Sequence, residues 1–142
     1  MSYHTWHDYG YGICTDEISA NTTVEKIENL LALAPIFRDV IHSSFDEGEE
    51  PLEVSDYEDF GAGNLAAILA EVISEAEGID FTPTENYDGE SYLIYIARYP
   101  WAMTAKDAIL TEKGIEEILH KYVSILTDIK VDVGYQEVEN GG

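Results

Sequence analysis

Ser91-Tyr92-Leu93-Ile94-Tyr95-Ile96-Ala97-Arg98-Tyr99 is the segment most informative about the fold of this chain. Read as a strand, it places large apolar or aromatic side chains on both faces, which is typical of a strand in the middle of a sheet. Asp88-Gly89, just before it, is a strong signal for a hairpin turn. A preceding strand begins at Ile79, and Pro100 ends the return strand. The sequence therefore predicts an antiparallel hairpin whose second strand is central.

Two further strands are predicted at the ends of the chain. Tyr9-Gly10-Tyr11-Gly12-Ile13-Cys14 alternates large side chains with glycine. The last strand alternates apolar and polar residues, which predicts one buried and one exposed face. Its inward residues are Ile129, Val131, Val133 and Tyr135, and its outward residues are Lys130, Asp132 and Gln136.

Four amphipathic helices are predicted from apolar residues at helical spacing. The first follows a cap at Thr22 or Thr23, the second begins at Pro35, the third ends at Gly78 and the fourth follows Thr111. The residues expected to be buried are, helix by helix, Val24, Ile27, Leu30, Leu31 and Ala34; Ile36, Phe37, Val40 and Ile41; Leu65, Ile68, Leu69, Val72 and Ile73; and Ile115, Ile118, Leu119, Tyr122, Val123 and Leu126.

The order of these elements predicts one α+β domain over residues 1–142, with an acidic loop at 46–59. The expected architecture is a ferredoxin-like βα(α)ββαβ order, an antiparallel four-stranded sheet with helices packed on one face. Tyrosines are frequent on the predicted strands and hairpin, and those that point away from the helices would form an aromatic face for a homodimer. They are Tyr9, Tyr11, Tyr87, Tyr92, Tyr95, Tyr99 and Tyr135.

The 142 residues include 29 acidic and 7 basic ones, a formal net charge of -22. No Lys or Arg occurs from Asp39 to Ala97. Such a field repels nucleic acid and anionic membranes and attracts basic surfaces within about 8 Å at physiological salt. The single Cys14 precludes an internal disulfide, and no apolar run is long enough to span a membrane. We therefore expect a soluble, cytoplasmic protein whose partner is a basic protein surface.

No motif in the sequence predicts catalysis, a cofactor or a metal site. There is no Gly-x-Ser-x-Gly motif, and Cys14 has no basic neighbour in its apolar strand. Asp39-x-x-His42 and Glu117-x-x-His120 repeat the spacing of helical di-iron sites, but their residues fall outside the buried helix stripes. Two alternatives to a non-enzymatic inhibitor remain: a metal-dependent enzyme that uses these four residues, and a self-associating accessory protein without a catalytic role that uses the tyrosine-rich sheet face.

The candidate interface is the base-free middle of the chain, where carboxylates on a rigid scaffold would imitate nucleic-acid phosphates. Aromatic residues among the charges would supply contact energy that charge alone does not. The predicted partner-binding residues are Asp46, Glu47, Glu49, Glu50, Glu53, Asp56, Tyr57, Glu58, Asp59, Glu71, Glu75 and Glu77. The expected target is a nucleic-acid-binding protein or a nuclease.

Two segments, Tyr9-Gly10-Tyr11-Gly12-Ile13 near the start and the closing Tyr135-Gln136-Glu137-Val138-Glu139-Asn140-Gly141-Gly142, look similar to those of short phage proteins. In size, acidity and α+β pattern, the whole chain resembles phage-encoded inhibitors of bacterial defence, such as anti-CRISPR proteins and nucleic-acid mimics. The resemblance is one of type and brings no residue roles with it. It implies a protein target rather than a substrate.

Overall fold

The computed structural model describes residues 5–43, 45, 53–60, 65–86, 88–96 and 111–141. Within these ranges the chain forms four strands and six helices, which confirms the α+β class. In chain order they are β1 (Thr5–Cys14), α1 (Asp16–Ala20), α2 (Val24–Leu31), α3 (Pro35–Ser43), α4 (Val54–Phe60), α5 (Leu65–Glu77), β2 (Thr82–Glu85), β3 (Ser91–Tyr95), α6 (Glu112–Leu126) and β4 (Gly134–Gly141).

The strands form one sheet in the order β2-β3-β1-β4, and every neighbouring pair is antiparallel. The strand that begins at Ser91 is interior, as predicted, because β2 and β1 flank it. The predicted hairpin is also confirmed. Gly89 takes a φ of 87° in its turn, a backbone conformation that glycine adopts without steric cost.

The hydrophobic core lies between the sheet and the helices. Ile13 and Leu93 are directly paired on β1 and β3, and both are fully buried on the helix side. Helix α5 packs on β2 and β3, while α6 packs on β1 and α2. Thr23 and Thr111 cap α2 and α6 through their side-chain oxygens, and Gly78 follows α5 with a φ of 71°. These helix boundaries agree with the prediction.

Helix α3 buries only half of the residues predicted for it. Phe37 and Ile41, one turn apart, face the core, whereas Ile36 and Val40 are exposed. Because successive residues rotate by about 100° around a helix, Val40 is directed well away from the direction of Ile41. The prediction for Ile36 and Val40 was wrong: the core accepts one of two adjacent apolar stripes.

Two other boundaries differ from the prediction. Residues 54–59, expected in the acidic loop, belong to α4, which ends at Phe60. The last strand begins only at Gly134, opposite Gly12 of β1, so residues 129–133 precede the paired segment. Ile129, expected to face inward, is accordingly exposed, and Tyr135 is more than half exposed at the margin of the sheet.

Candidate functional site

The predicted partner-binding residues divide into three groups in the structure. Asp46, Glu47, Glu49 and Glu50 lie outside the described residues. Glu53 and Glu71 are exposed, and Asp56 and Glu58 are half-buried on or beside α4. Asp59 also belongs to α4. The remaining three, Tyr57, Glu75 and Glu77, make contacts within the protein.

Tyr57 is fully buried and is not an aromatic residue of the surface, so its prediction as a partner contact was wrong. Its ring lies edge-on to Phe45, with centroids 5.1 Å apart, and its hydroxyl donates a hydrogen bond to the Glu28 carboxylate. The same carboxylate lies 2.9 Å from Nε2 of His42. Burial, followed by the hydrogen bond and charge of Glu28, raises the pKa of Tyr57. Tyr57 therefore anchors α4 to α2 and α3.

Glu75 is a helix cap for α3. Its carboxylate accepts hydrogen bonds from the backbone N–H groups of Ile36, at 3.1 Å, and Phe37, at 2.8 Å. The N–H groups in the first turn of a helix have no partner within the helix, and an anion there also interacts favourably with the helix dipole. Glu75 thus ties α5 to the start of α3.

This contact predicts a stability effect for Glu75→Ala that the neighbouring acid does not share. Loss of the cap is expected to lower the free energy of unfolding by about 1 kcal/mol. Glu71→Ala, one turn away and exposed, is the control and should change it by less than about 0.5 kcal/mol. Urea denaturation followed by circular dichroism measures both. Equal effects of the two substitutions would contradict the capping role.

Glu77 joins α5 to α6. One of its oxygens accepts hydrogen bonds from the Tyr122 hydroxyl, at 2.7 Å, and from the Lys121 ammonium, at 3.0 Å. Burial, and then the hydrogen bond and charge of Glu77, raises the pKa of Tyr122. Glu77, like Glu75, contributes to the fold rather than offering an open carboxylate to a partner.

The structure gathers a different set of acids at one end of the sheet, where β1 runs into α1 beside the β2–β3 turn. The pairing of Cys14 with Tyr92 brings these two chain segments together. Asp16 accepts a hydrogen bond from the backbone N–H of Ser91 at 3.1 Å. We call the exposed acids at this end the sheet-end cluster; they are Asp16, Glu17, Glu85, Asp88 and Glu90.

Donor atoms of Cys14, Asp16 and Glu90 lie within 4.8 Å of one another in this cluster. Burial raises the pKa of the Cys14 thiol, and the charges of Asp16 and Glu90 act in the same direction, partly opposed by a backbone hydrogen bond. The thiol therefore stays protonated near neutral pH and is a poor nucleophile. Three donors are also one fewer than a closed zinc site uses. The group is best described as an acidic surface beside a neutral thiol.

No protein-family model, curated protein or solved structure matches this chain. In the part of the chain that the structure describes, no helix has the length and apolar character needed to cross a bilayer. The charge distribution and the contacts above are therefore the basis for a functional proposal.

The four residues of the alternative metal site lie on exposed positions of two helices. Asp39 and His42 are on α3, and Glu117 and His120 are on α6. His42 is engaged by Glu28 rather than by a residue of α6. Among the described residues, the convergent set of three potential metal ligands is the Cys14 group, not these four.

The described tyrosines of the predicted aromatic face divide between the two sides of the sheet. Tyr11 pairs with Tyr95 on one side and Tyr135 on the other, and all three lie on the helix side of the sheet. Tyr92 lies on the opposite face, where Ile94 and Val138 are fully buried. The side chains of Tyr9, Tyr87 and Tyr99 lie outside the described part. The tyrosine-rich homodimer face therefore stays a prediction, and among the described side chains of these tyrosines Tyr92 is the one on the face away from the helices.

A cleft of about 310 Å³ lies at the C-terminal end of α6. Its polar residues include His120, Asp128 and Lys130. Asp128 is the one carboxylate among the described lining residues, whereas glycoside hydrolysis uses a pair of carboxylates. The sheet-end cluster remains the stronger candidate for a functional surface.

Proposed function

We propose that this chain is a non-enzymatic interaction protein that occupies a basic, nucleic-acid-binding surface of another protein and so inhibits it. The target class is a defence protein or a DNA- or RNA-processing protein, and the setting is the phage anti-defence type in a reducing cytoplasm. The observation that carries the proposal is the run of exposed carboxylates on described residues between 39 and 96, a region with no Lys or Arg. They are Asp39, Glu53, Glu71, Asp80, Glu85, Asp88 and Glu90.

Electrostatics favours this class of partner. A net charge of -22 on 142 residues gives a long-range attraction for basic surfaces and speeds association with them. The same charge disfavours direct binding to nucleic acid or to anionic membranes. A surface lined with Lys and Arg for phosphate contacts is the natural complement of such a field.

The sheet-end cluster is the part of the acidic surface that we assign to the interface. Its members come from the start of α1 and from the β2–β3 hairpin, so a sheet and a short turn hold their backbones in place. Asp16 is further oriented by the N–H of Ser91, and Glu90 by the side-chain amide of Asn86 at 3.1 Å. Rigid placement reduces the entropy that each side chain loses on binding.

We further propose that the fold is of the ferredoxin-like, split βαβ type. The support is the order β2-β3-β1-β4 with antiparallel neighbours, in which β3 lies between β1 and β2. The order of elements along the chain, predicted from the sequence as βα(α)ββαβ, is the one that gives this arrangement of strands in ferredoxin-like folds. A crystal structure of this chain tests the assignment, because it gives the directions of the four strands and the crossover connections between them.

A neutralised variant with a charge-matched control tests the proposed interface. In the first variant, Asp16→Asn, Glu85→Gln, Asp88→Asn and Glu90→Gln are combined. In the control, Glu25→Gln, Glu117→Gln, Asp128→Asn and Asp132→Asn remove the same number of exposed charges elsewhere. Proteins captured from lysate by the wild type are identified, purified and titrated with each variant, with a duplex of about 20 base pairs as competitor.

The expected result is a target that the duplex displaces and that binds the sheet-end variant at least about tenfold more weakly, since each exposed ion pair contributes up to about 1 kcal/mol. The control variant should lose less than about threefold. Equal losses would show that net charge alone matters and would remove the sheet-end assignment. Binding that the duplex does not affect would contradict the nucleic-acid mimicry.

A further inference from the structure

An exposed apolar stripe runs along α3 and the turn before it. Ile36 is 73% exposed, Val40 50% and Leu33 44%. Ile36 and Val40 are one turn apart on the same face of the helix, and Leu33 lies in the turn that precedes α3. We call these three residues the α3 stripe.

The fold itself does not account for the α3 stripe. Phe37 and Ile41 already supply the residues with which α3 packs on the core. Single exposed aliphatic residues are common on protein surfaces, whereas contiguous exposed apolar patches mark interaction surfaces. Ile36 and Val40 are adjacent on one helix face, and burying both against a partner would be favourable.

Carboxylates border the stripe. Asp39 lies three residues after Ile36 on the helix surface, and the Glu75 carboxylate binds the N–H of Ile36 itself. Glu71 is exposed one turn before Glu75 on α5. The Nε of the neighbouring Arg38 lies 3.7 Å from the Asp39 carboxylate, so the two charges partly compensate each other. The carboxylates of Asp39 and Glu75 thus lie beside Ile36, with Arg38 next to Asp39.

We propose that the α3 stripe binds an amphipathic basic helix of a partner protein. The apolar face of that helix would pack on Ile36 and Val40, and its Lys or Arg side chains would reach the carboxylates of Asp39 and Glu71. The proposal rests on the proposed function and goes beyond it, because it adds to the sheet-end cluster a second surface that offers an apolar contact as well as charge. A second copy of the chain is a poor occupant, since each copy carries a charge of -22.

Two synthetic peptides of equal charge separate the two contributions. Both are basic helices of about five turns, roughly 18 residues. One has leucines along a single face, and in the other the leucines are replaced by glutamine. The peptides are titrated by fluorescence anisotropy into the wild-type protein, into the double variant Ile36→Gln, Val40→Gln, and into the control Ile129→Gln, which changes an exposed isoleucine elsewhere.

The wild type and the Ile129→Gln control are expected to prefer the leucine peptide by about tenfold or more, and the double variant to lose that preference while binding the glutamine peptide as before. Since Ile36 and Val40 are exposed, the double variant should keep the wild-type melting temperature.

Equal affinity of the wild type for both peptides overturns the stripe proposal and leaves the proposed function standing. Binding of the leucine peptide alone, with no affinity for the glutamine peptide at low salt, supports the stripe and contradicts the charge-driven function. A wild-type dimer that the double variant abolishes in sedimentation velocity would assign the stripe to a second copy and overturn the proposal.

Discussion

Gly12→Ala is expected to destabilise the protein by at least about 3 kcal/mol, a large part of the 5–15 kcal/mol typical of a folded domain. A Cβ atom on Gly12 would lie 2.0 Å from the carbonyl oxygen of Leu93 and 2.7 Å from the Cα of Ile94. Both contacts are with the backbone of β3. Because β1 and β3 are held by further strands on their other sides, neither backbone moves away without disturbing the sheet.

Gly134→Ala is the matched control, because Gly134 pairs directly with Gly12 across β1 and β4. A Cβ atom there meets no atom within 4 Å, so the change in the free energy of unfolding should stay within about 0.5 kcal/mol. Urea denaturation followed by far-ultraviolet circular dichroism compares the two variants. Equal stability of Gly12→Ala and Gly134→Ala would contradict the close approach of the β3 backbone to Gly12.

The second large effect is a loss of stability at alkaline pH. Tyr57 and Tyr122 are both buried, both donate to a carboxylate and both have a raised pKa in the folded state. The folded protein therefore retains these protons at a pH where the unfolded chain releases them. Their contribution is present below the ordinary tyrosine pKa of about 10 and is lost as pH rises above it, towards the folded-state pKa. The slope approaches roughly 1.4 kcal/mol per pH unit for each tyrosine.

Urea denaturation at pH 7, 10 and 11 measures this slope in the wild type and in the Tyr57→Phe and Tyr122→Phe variants. Each substitution removes one titrating group, so each variant should lose less stability than the wild type between pH 10 and 11. The comparison is made within each variant, which separates the pH effect from the cost of the lost hydrogen bond at neutral pH. An unchanged alkaline slope in both variants would contradict the buried position of these hydroxyls.

Local patterns were sufficient for much of the fold. The run from Ser91 is apolar on both faces wherever it is placed, so its interior position in the sheet followed from its composition. The stripe from Leu65 to Ile73, the caps Thr23 and Thr111 and the stop at Gly78 were likewise predicted from neighbouring residues alone. Each of these features depends on chemistry within a few residues.

The features that the sequence did not predict depend on distant residues. Glu75 and Glu77 occupy exposed-looking positions on α5, and only the arrival of Ile36 and of Tyr122 from remote segments gives them partners. The many acidic residues of 46–59 predict a loop where the structure has the helix α4. There, the N–H of Glu53 donates to the Asp56 carboxylate, which stabilises the helix start, and the buried Tyr57 anchors the helix.

The candidate site shows the same division. Its hairpin half, with Asp88 and Glu90, lies in the base-free stretch that the sequence marked out. Asp16 and Glu17 lie outside that stretch and join it through the antiparallel register of β1 and β3. The usable signal was the acidic pair directly after the predicted first strand, since antiparallel pairing places the end of one strand beside the start of its neighbour.

The order of the strands also bears on how copies of this chain behave when crowded together. β2 and β4 are the outermost strands of the described sheet, and the rims of sheets are where foreign strands add and aggregation begins. β2 is only four residues long and contains Pro83, while β4 carries Glu137 and Glu139. A short strand, a proline and charged residues are the devices by which natural sheets discourage such growth. Both edge strands of the described sheet therefore have features that disfavour pairing with strands of other copies.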